Sequence, residues 1–136
     1  MIKFTVLGEP RGKGRPRFSR KSGRPYTPDK TVSYENLITT EYRRQVGDKG
    51  LDGDLDMRII AYFGIPKSAS KRKRQQMEAG ELRPAKKPDM DNIMKVVADA
   101  LNAVAYRDDA QVVDCQLRKF YSNQPRIDVL IQSAQK

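Results

Sequence analysis

The segment Pro88-Asp89-Met90-Asp91-Asn92-Ile93-Met94-Lys95 puts two carboxylates two residues apart and a lysine one helical turn after the second. Asp108-Asp109 adds two more after Tyr106-Arg107. Carboxylates held close repel each other, so that one stays protonated or a cation offsets the repulsion. A site of oxygen ligands suits magnesium, or manganese as its substitute. If the chain reverses after residue 107 and returns Asp109 to Asp91, then Asp89, Asp91 and Asp109 become a three-carboxylate metal site. An ion there would bind a scissile phosphate, activate water and stabilise the leaving oxygen. Lys95 would neutralise charge growing on the phosphate or orient the water. Periodicity does not establish that return. Plainer roles stand beside it: Asp89 as a helix N-cap, Asp91 with Lys95 as a helix pair worth ~0.2–0.5 kcal/mol, and Asp108-Asp109 as a polar turn. Asp99 reads as solvated helix surface.

Other chemistries are closed. The 136 residues contain no histidine and one cysteine, Cys115. Ser-His-Asp and Cys-His catalysis, His-ligated zinc and an internal disulfide framework are excluded. Gly12 and Gly14 form neither a G-x-x-x-x-G-K-[ST] loop nor a G-x-G-x-x-G fingerprint, so no nucleotide cofactor is expected. There is no apolar run of membrane-spanning length and no secretory leader pattern, which gives no membrane association and a cytoplasmic expectation.

The elements that must carry these residues are legible in outline. Ile2, Phe4 and Val6 alternate as a first strand, ended by Gly8-Glu9-Pro10. The chain then stays irregular to Pro28. Residues 31–46 read as a helix with Tyr34, Leu37, Ile38, Tyr42 and Val46 inward, capped by Asp29 or Thr31. Leu55 to Phe63 alternate as a second strand, with Asp52, Asp54 and Asp56 as surface turn residues. Pro66 is expected to start a basic helix running to Glu78, with Lys67, Lys71 and Arg74 on one face and almost nothing to bury. A helix opening near Asp89 buries Ile93, Val96, Val97, Ala100, Leu101 and Val104. Two strands close the chain, one from Val112 to Tyr121 with Cys115 as a small core filler, one around Ile127, Val129 and Ile131. Ser122-Asn123-Gln124-Pro125 is read as a hairpin-like turn between them. The fold class is α+β, a small mixed sheet of about four strands packed with helices, in a single domain over residues 1–136.

The net charge of +10 is concentrated. Residues 9–30 and 67–88 each hold eight basic and two acidic side chains, a net of +6 apiece, and the rest of the chain sums to −2. Such fields favour a polyanion, above all nucleic acid. Arg11, Lys13, Arg15 and Arg17 on the first segment are expected to bind DNA. So are Lys67, Lys71, Arg72, Lys73, Arg74, Lys86 and Lys87 on the second.

Asp89-Met90-Asp91-Asn92-Ile93-Met94-Lys95, Asp99-Ala100-Leu101-Asn102 and Asp108-Asp109-Ala110-Gln111-Val112-Val113-Asp114 together resemble the RusA-type Holliday-junction resolvases, common in phages and prophages. The likeness is strongest over residues 88–121, and Gly12 to Phe18 resemble the phage-type branch. The resemblance implies a symmetric homodimer that binds branched DNA at four-way junctions and nicks opposing strands with Mg2+ or Mn2+. It carries over Asp89, Asp91 and Asp109 as metal-binding carboxylates and Lys95 as the catalytic lysine, with Asp108 as a possible addition. Two other readings remain: a nucleic-acid-binding module without chemistry, and a metal-dependent nuclease acting on another DNA structure.

Overall fold

A computed structural model describes residues 1–14, 17–26 and 29–135. Strand β1 (Ile2–Leu7) is followed by two two-residue strands, β2 (Arg17–Phe18) and β3 (Pro25–Tyr26), which pair with each other. Then come helix α1 (Asp29–Gln45), strand β4 (Leu55–Gly64), helices α2 (Lys71–Glu78) and α3 (Met90–Ala100), and strands β5 (Val112–Ser122) and β6 (Arg126–Ser133). The main sheet has four strands in the order β1-β6-β4-β5. β6 runs antiparallel to both neighbours, whereas β4 and β5 are parallel. The α+β class is therefore as expected.

The alternation in each strand decides which face is buried. Ile2, Phe4 and Val6 of β1, the odd residues Leu55 to Phe63 of β4, and Ile127, Val129 and Ile131 of β6 point to one side and are buried. α1 and α3 cover that side with Tyr34, Ile38, Tyr42, Ile93, Val96, Val97 and Ala100. Tyr42 meets Phe4 edge to face at 5.3 Å, a favoured aromatic geometry. The opposite face carries Arg58, Ile60, Tyr62, Arg118, Phe120 and Arg126. Guanidinium groups lie over its rings, Arg126 4.0 Å from the Tyr62 centroid and Arg83 4.3 Å from that of Phe120. A surface concavity of ≈ 670 Å³ lies on this face, lined by Arg58, Ile60, Arg118, Arg126 and Asp128 among others and by no residue of α3 or of the Asp108-Asp109 turn.

The two sheet margins differ. At β1 the Gln45 side chain accepts from the Thr5 N–H at 2.9 Å and donates to the Thr5 carbonyl at 2.6 Å. At β5 the Lys119 carbonyl accepts from Arg83 Nε at 2.9 Å. Val113, Asp114, Cys115 and Gln116 before it are exposed.

Several expectations need correction. Ser122 to Pro125 is not a hairpin: the chain leaves the edge strand β5 and steps across the end of β4, so that β6 pairs with β4 and β1 and not with β5. The turn residues favour a reversal locally, but they cannot choose the partner strand. Cys115 is exposed rather than core, because β5 is an edge strand. The basic helix begins at Lys71, not Pro66, because the Ser70 hydroxyl accepts the Lys73 N–H at 3.2 Å as an N-cap. Lys67 is thus outside the helix and shares no helical face with Lys71 and Arg74. α2 also buries Met77. Asp56 is buried in β4, bonded by Arg58 Nε and Gln132 Nε2, rather than being a surface turn residue. Thr31 lies inside α1 and does not cap it; its hydroxyl accepts the Gly14 N–H at 2.9 Å. Among the described residues no helix is long and apolar enough to cross a membrane.

Candidate active site

The acidic residues gather around α3. Its apolar stripe faces the sheet, so the opposite side must present Asp91, Lys95 and Asp99, each one turn apart. Asp89 takes the N-cap position in extended conformation, but its side chain makes no capping hydrogen bond. Asp91, in the first turn, is exposed, and its carboxylate takes part in no hydrogen bond or ion pair with another described residue. The helix N-terminus favours its charge.

Further along the same face, Lys95 Nζ stands 3.0 Å from Asp99 Oδ1. The other Asp99 oxygen is 3.2 Å from Lys13 Nζ, and Lys13 also holds Glu35 at 2.5 Å. Asp99 therefore bridges the lysine of the D-x-D-N-x-x-K segment to the basic amino-terminal loop, with its side chain 18% exposed. The loop is seated closely. Lys13 N–H donates to the Asn92 carbonyl at 2.8 Å, and a Cβ on Gly12 would lie 2.8 Å from Asn92 Cβ and 3.0 Å from Pro88 Cβ.

The reversal after α3 brings the last acidic pair back toward the helix. Asp109 opens a single 3-10 turn, Asp109–Gln111, and its N–H donates to Asn102 Oδ1 at 2.9 Å. Asp108 and Gln111 bond reciprocally as a capping box. The Gln111 amide donates to the Gly53 carbonyl at 3.0 Å, fixing the turn to the start of β4. Partial burial, then the hydrogen bond and charge of Asp108, push the Asp109 carboxyl above its ordinary value, while Lys95 opposes the rise. Tyr106 donates to the Ala98 carbonyl at 2.8 Å; burial and the nearby carboxylates raise its hydroxyl too. Asp109, Asp108, Lys95 and Asp99 thus share one electrostatic neighbourhood.

Asp89 faces a different neighbour. Lys119 Nζ donates to the carbonyls of Lys86, at 2.5 Å, and Pro88, at 3.0 Å. Burial holds Lys119 below the ordinary lysine value against the pull of Asp89. Among the described residues no three His, Cys, Asp or Glu side chains stand close enough to hold a metal ion. The donor chemistry nevertheless fits a hard cation, since the acidic side chains offer oxygen and Asp108-Asp109 repulsion would be relieved by positive charge.

Of the expected DNA-binding residues, Arg11, Lys67, Lys71, Arg72, Lys73, Lys86 and Lys87 are exposed. Arg74 is half-buried and reaches the Pro66 carbonyl at 3.3 Å. Lys13 is engaged by Glu35 and Asp99. Arg15 and the side chain of Arg17 lie outside the described residues. Sequence reasoning missed Asn102, Gln111 and Lys119. For Lys119 a signal existed: it is a charge on the apolar phase of a strand, between Leu117 and Tyr121.

A mixed sheet with α1 and α3 packed on one face, and with carboxylates, lysines and two basic segments gathered about α3, defines a small α+β protein that presents both charges at one helix. The chain belongs to the family described as Endodeoxyribonuclease RusA, whose model matches residues 8–132. It is also 43% identical over 138 residues to the uncharacterized protein YqaN of Bacillus subtilis (strain 168), covering 96% of this chain and 95% of that protein.

Proposed function

We propose that this protein is a magnesium-dependent endodeoxyribonuclease that resolves four-way DNA junctions as a homodimer. The observation that carries the reading is the return of Asp109 to the Lys95 side of α3 within a member of this family. Asp89, Asp91 and Asp109 would hold the ion, and Asp108 would keep Asp109 poised beside it. Magnesium is commonly held by one or two carboxylates with substrate phosphates and water completing its shell. Such a site does not require a closed three-ligand cage before DNA arrives. When bound, the ion supplies Lewis acidity at the scissile phosphate and lowers the pKa of a coordinated water.

This chain's own groups do the rest. Lys95 leaves or shares Asp99 to meet charge developing on the phosphate. Segments 9–30 and 67–88 draw the backbone toward a surface that would otherwise repel it. A four-way junction offers two equivalent scissile positions, which a two-fold pair of chains matches.

The test is nicking of a four-way junction, a fork, a linear duplex and a single strand, with magnesium or manganese and with chelator. Metal-dependent nicking of the junction is expected. Equal cleavage of linear duplex would remove junction selectivity, and no nicking at all would end the reading. Asp91→Asn should lower nicking at least about a hundredfold while junction binding in chelator is kept or improved, because a ligand is lost and repulsion of phosphate falls. Parallel loss of binding would count against that role. Sedimentation at the mass of one chain, with and without junction, would remove the homodimer.

A further inference from the structure

Lys119 has no evident reason to be where it is. It lies on β5 opposite Ala61, in the phase shared by Leu117 and Tyr121 that faces the helix layer. A lysine there must either escape to water or find acceptors, since an unpaired buried ammonium is costly. It finds acceptors in one short segment. Its ammonium donates to the carbonyls of Lys86 and Pro88, at 2.5 Å and 3.0 Å, and stands 5.0 Å from the Phe63 ring centroid. The same residue's carbonyl takes the Arg83 Nε–H at 2.9 Å. Residue 119 therefore grips the approach to α3 at both ends, residue 83 through its backbone and residues 86 and 88 through its side chain.

The residue that follows this gripped segment is Asp89. Its side chain makes no capping bond, so nothing in α3 itself orients the carboxylate. Its backbone carbonyl accepts the Ile93 N–H at 3.1 Å and so belongs to the helix. The approach angle of the chain at Pro88 is what remains to set where the Asp89 carboxylate points.

We infer that Lys119 is a positioning residue for the acidic site, holding the Lys86 and Pro88 carbonyls so that Asp89 is presented beside Asp91. This rests on the nuclease reading above, and it adds a group on the far strand on which Asp89 depends. A neutral side chain of similar length would leave two carbonyls unbonded and let the segment lift. A guanidinium would keep the charge but present a planar fork in place of a compact ammonium.

The test compares Lys119→Met and Lys119→Arg with the wild-type chain. Single-turnover junction nicking is measured against magnesium concentration, and junction affinity is measured in chelator. Amide hydrogen exchange over residues 86–91 gives a readout that needs no activity. Lys119→Met is expected to lower nicking about 10- to 100-fold and raise the half-saturating magnesium concentration, as loss of groups that orient metal ligands commonly does. Exchange over residues 86–91 should quicken, and junction affinity should stay within about threefold. Lys119→Arg should shift nicking and exchange in the same direction by less. Wild-type nicking and exchange in a folded Lys119→Met chain would overturn the inference. So would wild-type behaviour of Lys119→Arg, since charge alone would then suffice; that variant decides if the methionine chain does not fold. If wild-type protein nicks no DNA, the nuclease reading fails by itself, and unchanged exchange in the variants is what would sink the positioning role.

Discussion

Asp99 shows how a single side chain can be misjudged from its own element. On α3 it follows Lys95 by one turn and reads as ordinary surface. In the fold it joins Lys95 to Lys13, a residue 86 positions earlier, so its partner was invisible to local spacing. Asp91 and Asp109 stood out by their spacing to Lys95 and their place beside Asp108, but spacing alone did not give the return of the Asp109 turn, whose N–H is held by the Asn102 side chain. Tyr34 offers a sharper test of residue-scale physics. Its hydroxyl is buried with no hydrogen-bond partner among the described residues, and the nearby Arg11 backbone and charge only oppose the effect of burial. Burial pushes its pKa up to about 12. The unfolded chain releases that proton near the ordinary value of about 10. Between the two, the folded state holds a proton that the unfolded state has lost, so the stability present below about pH 10 falls as pH rises toward 12. Tyr34→Phe should flatten this alkaline loss and leave neutral-pH stability within about 1 kcal/mol, because an unpaired hydroxyl is removed. Urea denaturation at pH 8 and pH 11 measures both; a neutral-pH loss above about 2 kcal/mol would mean the hydroxyl is bonded after all.

At the scale of elements, α3 was the most legible piece. Ile93, Val96, Val97, Ala100 and Leu101 repeat at helical spacing, and all are buried. β1, β4 and β6 were legible for the same reason at a period of two. The pairing of β5 was not, because alternation reports which face is apolar and not which neighbour supplies the hydrogen bonds. The start of α2 was misjudged because Pro66 is a permitted first helical residue, while the Ser70 hydroxyl competes for the same role nearer the helix. The seat of the amino-terminal loop was equally hidden, since close approach of Gly12 to Asn92 is a tertiary fact. Gly12→Ala should force the loop off α3 and lower stability by about 1–3 kcal/mol, the range for overpacking. Thermal unfolding checks this, and an unchanged midpoint would mean that the loop is not seated there.

Across the whole molecule, the charge pattern gains meaning from where its two halves meet. Gly12 and Lys13 lie against Pro88 and Asn92, and residues 86–88 lead directly into Asp89. Both positive segments therefore border the amino-terminal end of α3. The composition announced the field but not this convergence, which depends on how β1 and β5 sit on opposite margins of the sheet. Neutralising Lys71, Arg72, Lys73 and Arg74 together should weaken junction affinity and flatten its logarithmic salt dependence by about 0.9 for each phosphate that is no longer neutralised. Titrations at several salt concentrations give the slope, and a slope equal to wild type would place α2 off the DNA.

The Gln45 amide does for Thr5 what a neighbouring strand would do, occupying both its backbone donor and its acceptor. Accretion of a foreign strand on that flank is thereby blocked at its centre. Any β-addition to this molecule, whether useful or pathological, is directed to the opposite flank, where Asp114 is the single charge set within the stretch from Val112 to Leu117.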